Sequence, residues 1–236
     1  MKPSGEPAEN SRAEKGIGLF GGTFNPVHSG HILAAQTAMA RLAMTTVLFI
    51  PAALPPHKSP EHVVAAADRL EMLRLAVSGV PGLAVSEVEL TRTGGSSYTI
   101  DTVRHFLADA SPDTRYYLMV GLDAFLEIHT WKSYQTLLQL IPIVVLARPD
   151  FQPKRQNDTQ NILQHYLQSK ISASYDFSIE NKRFECANRP PLYLLSGGLK
   201  ALSATFVRER IRSNADIGPL VPARVAEYIK RKGLYR

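Results

Sequence analysis

Short apolar runs alternate along this chain with stretches in which apolar residues recur every three or four positions. The runs Ile17–Phe20, Thr46–Pro51, Leu83–Val85, Tyr116–Val120, Ile143–Ala147 and Leu192–Leu195 read as buried strands. The patterns between them predict helices over about Ser29–Arg41, Asp68–Val77, Thr99–Ala108, Trp131–Gln139 and Thr205–Arg212, with a last one from Val221 to Lys232. Asp68 reads as an N-cap, Leu70, Leu73 and Val77 fall on one face, and Gly233 marks a helix stop. Strands alternating with helices argue for a parallel α/β sheet. The stretch Phe151 to Asn188 breaks that rhythm, being polar and glutamine-rich with a weak stripe of Ile162, Leu163, Tyr166 and Leu167. An extra surface helix, an interface element and a partly disordered insertion all fit it. Met1 to Lys15 is polar with prolines and mixed charge, as a disordered tail would be. The expected organisation is a tail over 1–15 and one domain over 16–236, with a variable insertion at about 151–188.

Composition adds bounds rather than chemistry. Hydrophobic content of 44% and charged content of 20% suit a chain that buries a real core. The net charge of +6 suits nucleic acid, acidic membranes or phosphate substrates alike. Its basic residues are dispersed, except for Lys230-Arg231-Lys232 at a helix end, and no aromatic–basic interleaving marks an RNA surface. No apolar run approaches the roughly 18 residues of a membrane span, and the polar start lacks a signal-peptide core. The single cysteine, Cys186, excludes an internal disulfide and fits a reducing cytoplasm. The expectation is a cytoplasmic protein that engages neither nucleic acid nor membrane.

The chemistry concentrates at Gly21-Gly22-Thr23-Phe24-Asn25-Pro26-Val27-His28-Ser29-Gly30-His31, a strand-to-helix turn. A helix N-terminus offers unpaired N–H groups and a positive dipole end, a natural seat for phosphate. Gly30 would let a ligand approach the backbone, and two imidazoles three residues apart project to one side. From Lys15 through Pro60 there is no Asp or Glu, while His28, His31, Arg41, His57 and Lys58 fall inside. An acid-free stretch suits an anionic substrate, although a buried strand and an amphipathic helix also need few acids. Gly16-Ile17-Gly18-Leu19-Phe20-Gly21 matches the dinucleotide spacing G-x-G-x-x-G, but its glycines straddle the strand and no acid follows until Glu61. A dinucleotide-dependent dehydrogenase is therefore rejected. A metal centre on His28 and His31 lacks further ligands at suitable spacing, so no protein metal site is expected.

A second loop feeding a helix is Leu202-Ser203-Ala204-Thr205-Phe206-Val207-Arg208, with Ser203 or Thr205 as N-cap. Arg208 sits near that N-terminus, where a cation opposes the dipole. It suits a bound anion there, and equally a solvated basic face shared with Arg210 and Arg212.

Together these motifs resemble the bacterial-type nicotinate-mononucleotide adenylyltransferases of the nucleotidyltransferase superfamily. Thr23, His28, Gly30 and His31 match the T-x-x-x-x-H-x-G-H turn; Pro51 to Lys58 resembles the proline-rich loop with its terminal lysine. Ser96-Ser97-Tyr98-Thr99-Ile100-Asp101-Thr102 is similar to the S-Y-T-x-D-T stretch, and Gly121-Leu122-Asp123 with Trp131 to the G-x-D and tryptophan block. Arg148-Pro149 and Ser203 to Arg208 complete a series that covers nearly all of the chain except tail and insertion. Asn25 stands where an Asp is frequent, Ala204 replaces a second serine, and the stretch before Ser203 is long.

The resemblance implies a Rossmann-like doubly wound parallel sheet, the nucleotidyltransferase fold, with a small C-terminal helical part. It implies transfer of the adenylyl group of ATP to the 5′-phosphate of nicotinate mononucleotide, with Mg²⁺ as cofactor, in NAD biosynthesis. His31, His28 and Arg208 would be catalytic; Gly22, Thr23, Phe24, Gly30, Lys58, Ser203 and Thr205 would hold the phosphates. Thr99, Asp123 and Trp131 would hold the mononucleotide. Residue by residue, alternatives remain: Thr99 as a helix start, Asp123 as a cap, Trp131 as an interior anchor or rim residue. A phosphate nucleophile is largely ionised at pH 7, its second pKa being about 6, so no general base is needed. A pantetheine-phosphate adenylyltransferase shares the turn but lacks the S-Y-T-x-D-T and tryptophan blocks, and a non-catalytic nucleotide sensor is the remaining alternative. Homo-oligomerisation is left open.

Overall fold

The computed structural model describes residues 15–53, 63–92, 97–147, 158–196, 199 and 201–236. Each apolar run forms a strand: β1 (Lys15–Gly22), β2 (Met44–Pro51), β3 (Leu83–Val85), β4 (Thr114–Gly121), β5 (Ile143–Ala147) and β8 (Leu192–Ser196). The sheet order is β3-β2-β1-β4-β5-β8-β7-β6, and the first six strands run parallel. β1 lies between β2 and β4, so the chain builds one half of the sheet outward and then restarts on the other side. The helices follow suit: α1 (Ser29–Leu42), α2 (Ala66–Val77), α7 (Ala204–Arg212) and α8 (Ala223–Lys232) pack with Phe20, Phe49 and Met119. On the opposite face α3 (Thr99–Ala108), α4 (Leu122–Phe125), α5 (Tyr134–Leu140) and α6 (Asp158–Tyr166) pack with Leu19, Ile50 and Leu118. Neighbours on one strand serve opposite cores because side chains alternate across the pleat. This doubly wound arrangement has its topological switch point between β1 and β4, where such sheets open a crevice at the strands' carboxyl ends.

The sheet is mixed, not wholly parallel. The described part of the insertion forms α6, a single π turn at Leu167–Ile171, and a hairpin of β6 (Asp176–Ser178) and β7 (Arg183–Glu185) antiparallel to β8. Leu163 and Leu167 are buried, whereas Ile162 is exposed. The insertion thus extends the sheet beyond β8.

Three local expectations need correction. Lys15 belongs to β1, not to the tail, since its N–H donates to the Asp113 carbonyl at 2.7 Å. Asp68 is not an N-cap: α2 begins at Ala66, and the Asp68 carboxylate accepts the Tyr228 hydroxyl of α8 at 2.7 Å. The buried face of α2 is Arg69, Met72, Leu73, Ala76 and Val77, so Leu73 and Val77 are buried on it as expected and Leu70 is half-buried. Trp131 precedes its helix, because a 3₁₀ turn (Ile128–Thr130) comes first and α5 starts only at Tyr134.

Gly18 explains the misleading glycine spacing. A Cβ there would lie 2.7 Å from the Met119 sulfur and 3.0 Å from a Val47 methyl, so this glycine serves strand packing. Gly21 is different: a Cβ would meet nothing within 4 Å.

Candidate functional site

A cleft of about 630 Å³ opens at the switch point, lined by Gly21 and Gly22 at the end of β1 with Thr23 beyond it, by Gly121 at the end of β4 with Asp123 in α4, and by Thr99, Trp131 and Lys132. That volume lies within the range of small-molecule sites. The open space beside Gly21 faces it.

The histidine turn follows directly on Thr23, which lines the cleft, whereas His28, His31 and Arg208 are not among its lining residues. His28 is the N-cap of α1, and His31 returns the cap: its Nδ1 accepts the His28 N–H at 3.2 Å. A ring nitrogen that accepts carries no proton, so the neutral imidazole holds its proton on Nε2. The two rings stack with centroids 3.6 Å apart. His28 is buried at 3% exposure. His31 is half-buried, its ring against Phe24 (5.1 Å) and Phe20 (5.9 Å). Phe24 adopts φ +48°, a left-handed conformation uncommon outside glycine. Gly30 also has a different purpose from the one expected. A Cβ there would come within 3.0 Å of the His28 ring and 3.5 Å of Leu202, so its bareness makes room for the imidazole. Gly22 likewise leaves room for the Phe24 ring, 3.1 Å from a Cβ placed there.

α7 approaches the same turn. Ser203 is its N-cap and accepts the Phe206 N–H at 3.1 Å. Arg208 donates through Nη1 to the Asn25 carbonyl (2.8 Å) and through Nη2 to the Thr205 hydroxyl (3.1 Å). The hydroxyl oxygens of Ser203 and Thr205 thus already accept bonds, and each has its own O–H left to donate. The Arg208 Nε is buried without a partner among the described residues. An unmade buried donor costs about 1–3 kcal/mol, which an anion would relieve. Asn25, at 4% exposure, accepts the Val64 N–H on its side-chain oxygen at 3.2 Å.

The cleft itself holds Thr99, Asp123 and Trp131. Thr99 opens α3, where backbone N–H groups lack intrahelical acceptors, and Asp123 is exposed in the short α4. Trp131 is half-buried against the α3–α5 core and still lines the cleft, so it is a rim residue and not an interior anchor. Lys132 sits with Nζ 4.4 Å above the Tyr98 ring and pairs with Asp101 at 3.1 Å. Carboxylates are not absent here. Glu89, Asp123 and Glu127 all line the cleft, and the buried Glu89 accepts the Thr102 hydroxyl at 2.7 Å. The acid-free stretch in sequence therefore governs only the region of the histidine turn, because these carboxylates come from later segments.

Sequence reasoning also missed Arg69, buried at 1% exposure beneath the turn. No local signal marked it, since an arginine three residues into a helix usually faces solvent. Burial pushes its pKa below the ordinary arginine value. Lys58, expected at the phosphates, lies outside the described residues, as do His57 and Arg148.

A cytidylyltransferase-like family model matches residues 19–210. A probable nicotinate-nucleotide adenylyltransferase of Desulfatibacillum aliphaticivorans is 37% identical, over 93% of this chain and 99% of its own. One from Moorella thermoacetica is 34% identical, over 93% and 91%. The chain belongs to the nicotinate-nucleotide adenylyltransferase family. A solved Plasmodium falciparum nicotinic acid mononucleotide adenylyltransferase, complexed with NaAD, shares the fold at TM-score 0.67 and 16% identity, over 94% of this chain and 97% of that one.

Members of this family take a nucleoside triphosphate, and the donor set here bears on how a cation would accompany it. Among the described residues no group of three or more His, Cys, Asp or Glu side chains could cage a metal ion. A cation bound through phosphate oxygens of the nucleotide fits the residues present. No described helix is long and apolar enough to cross a membrane.

Proposed function

We propose that this protein transfers the adenylyl group of ATP to the 5′-phosphate of nicotinate mononucleotide, giving nicotinate adenine dinucleotide and pyrophosphate, in NAD biosynthesis. The observation that carries the reading is the stacked His28–His31 pair at the strand-to-helix turn, with His31 Nδ1 committed to the cap, so that Nε2 is the ring's donor. The acceptor phosphate attacks the α-phosphorus of ATP, and the bond to the bridging oxygen breaks. Little proton transfer is required, so catalysis rests on alignment and on charge neutralisation. His31 donates to phosphate oxygens from Nε2, and His28 braces its ring. Arg208, and Lys58 as a further cation, neutralise the departing pyrophosphate. Gly22, Thr23 and Phe24 line the path of the chain past the phosphates, and the O–H groups of Ser203 and Thr205 complete the cradle. With Mg²⁺ accompanying the nucleotide as cofactor, the chemistry supplied would be neutralisation of phosphate charge beside Arg208 and Lys58. The single cysteine supports a reducing cytoplasm as the compartment.

The acceptor end suits a pyridine ring with a charged nitrogen. A pyridinium stacks on Trp131 with cation–π character, and Glu89, Asp123 and Glu127 favour its positive charge. Thr99 offers its helix-start N–H to the ring carboxylate, and Asp123 takes the ribose. With ATP and Mg²⁺, nicotinate mononucleotide is expected to give at least a tenfold higher kcat/KM than nicotinamide mononucleotide or phosphopantetheine, followed as pyrophosphate release. Equal or better turnover of either competitor overturns the assignment.

Trp131→Ala is expected to weaken acceptor binding by about 1–3 kcal/mol, the worth of one ring stacked on an aromatic. The KM for ATP should change by less. An unchanged acceptor KM in the folded variant would return Trp131 to a structural role.

A further inference from the structure

Arg69 carries a function that neither motif names. It sits on the first turns of α2 with its side chain at 1% exposure, pointing into the junction of three separate segments. Its Nε donates to the Val64 carbonyl at 3.2 Å, Nη1 to the Thr23 carbonyl at 3.0 Å, and Nη2 to the Ala53 carbonyl at 3.4 Å. Among the described residues no carboxylate pairs with it. A buried guanidinium satisfied by neutral carbonyls alone is an expensive choice for stability, since apolar replacements fill such volume at lower cost. What this arrangement uniquely provides is orientation, because the planar fork holds several acceptors at fixed angles.

The consequence falls on the phosphate turn. Across a trans peptide the C=O and N–H point in opposite directions. Drawing the Thr23 carbonyl inward to Arg69 therefore turns the Phe24 N–H to the other side of the turn. On the far flank, Arg208 holds the Asn25 carbonyl at 2.8 Å. The left-handed Phe24 thus lies between two peptide groups each pinned by an arginine. A strained backbone of this kind persists only where its surroundings over-determine it. The side-chain oxygen of Asn25 grips the Val64 N–H while Arg69 grips the Val64 carbonyl, so both faces of that residue are tied to the turn. Tyr235 lies within electrostatic reach of Arg69 and Arg208 alike.

We infer that Arg69 is a positioning residue, which holds residues Thr23 to Asn25 in the one geometry that presents their backbone N–H groups and His31 to the triphosphate. It does not touch substrate. The inference rests on the adenylyl-transfer reading for its anion, but its test does not depend on the acceptor.

The deciding variants are Arg69→Lys, which keeps the charge and most of the stem, and Arg69→Met, which keeps only bulk. In the full-length protein, with thermal melting to confirm folding at assay temperature, Arg69→Lys should weaken ATP binding by about tenfold in calorimetry without acceptor. Quenching of the lone Trp131 fluorescence by nicotinate mononucleotide should stay within about twofold of wild type. Arg69→Met should weaken ATP binding further where it folds; where it does not, Arg69→Lys decides. An unchanged ATP dissociation constant in folded Arg69→Lys overturns the inference, as does a parallel loss of acceptor binding, which would mean general collapse of the site. Wild-type protein that binds ATP but adenylates some other acceptor would instead sink the proposed function and leave the Arg69 measurement standing.

Discussion

Replacing His31 by glutamine should lower kcat by about 10²–10³, the range for removing one preorganised donor from a charge-stabilising site. The effect belongs to the transition state, where charge shifts onto the departing pyrophosphate, so the KM for ATP should move much less. Glutamine is the informative substitution because of the helix cap. His31 accepts the His28 N–H, and a glutamine at that third helical position makes the same reciprocal bond. Alanine would remove the cap as well as the ring contacts with Phe20 and Phe24, at a cost of about 1–3 kcal/mol in stability. His31→Gln should therefore melt close to wild type while His31→Ala melts lower, and both should be equally poor catalysts. A His31→Gln variant with near-wild-type kcat would refute the imidazole's part in adenylyl transfer.

Arg208→Met should also lower kcat by about 10²–10³, by removing the cation and the buried Nε donor that has no partner among the described residues. Its two observed bonds, to the Asn25 carbonyl and the Thr205 hydroxyl, give a competing explanation in which the side chain only braces the turn. The two roles separate on pre-steady-state measurement. If Arg208 stabilises the departing pyrophosphate, the adenylyl-transfer step itself slows, and Arg208→Lys restores part of it by returning a charge. If it only braces the turn, the loss appears in ATP affinity and in the melting temperature, and lysine restores neither.

The elements of this fold were largely legible because the signals that specify them are local. Six apolar runs became the six parallel strands. The Ser203 cap starts α7 as its hydroxyl dictates, and Gly233 ends α8 with φ +63°. The misread starts of α2 and α5 share a reason. Asp68 looks like an N-cap and Trp131 like a first helical residue, yet Asp68 lies inside the first turn of α2, where Tyr228 of a distant helix takes its carboxylate, and Trp131 lies before α5 on the cleft rim.

The amino-acid sequence alone determined where the reactive groups stand along the chain: two histidines and a glycine at a strand-to-helix turn, an arginine one turn into a late helix, and a tryptophan after the fourth strand. Periodicity and capping act over a few residues, so they can be read without knowing what packs where. Only the tertiary structure decided how those groups are held. It showed that Gly30 is bare because His28 needs the space, that His31 is fixed by its own cap and two phenylalanines, and that Glu89, Asp123 and Glu127 gather in the cleft. It alone revealed Arg69. Each of these depends on residues distant in sequence meeting in space, and the free energy of burying a charge or excluding a side chain exists only once that meeting has occurred.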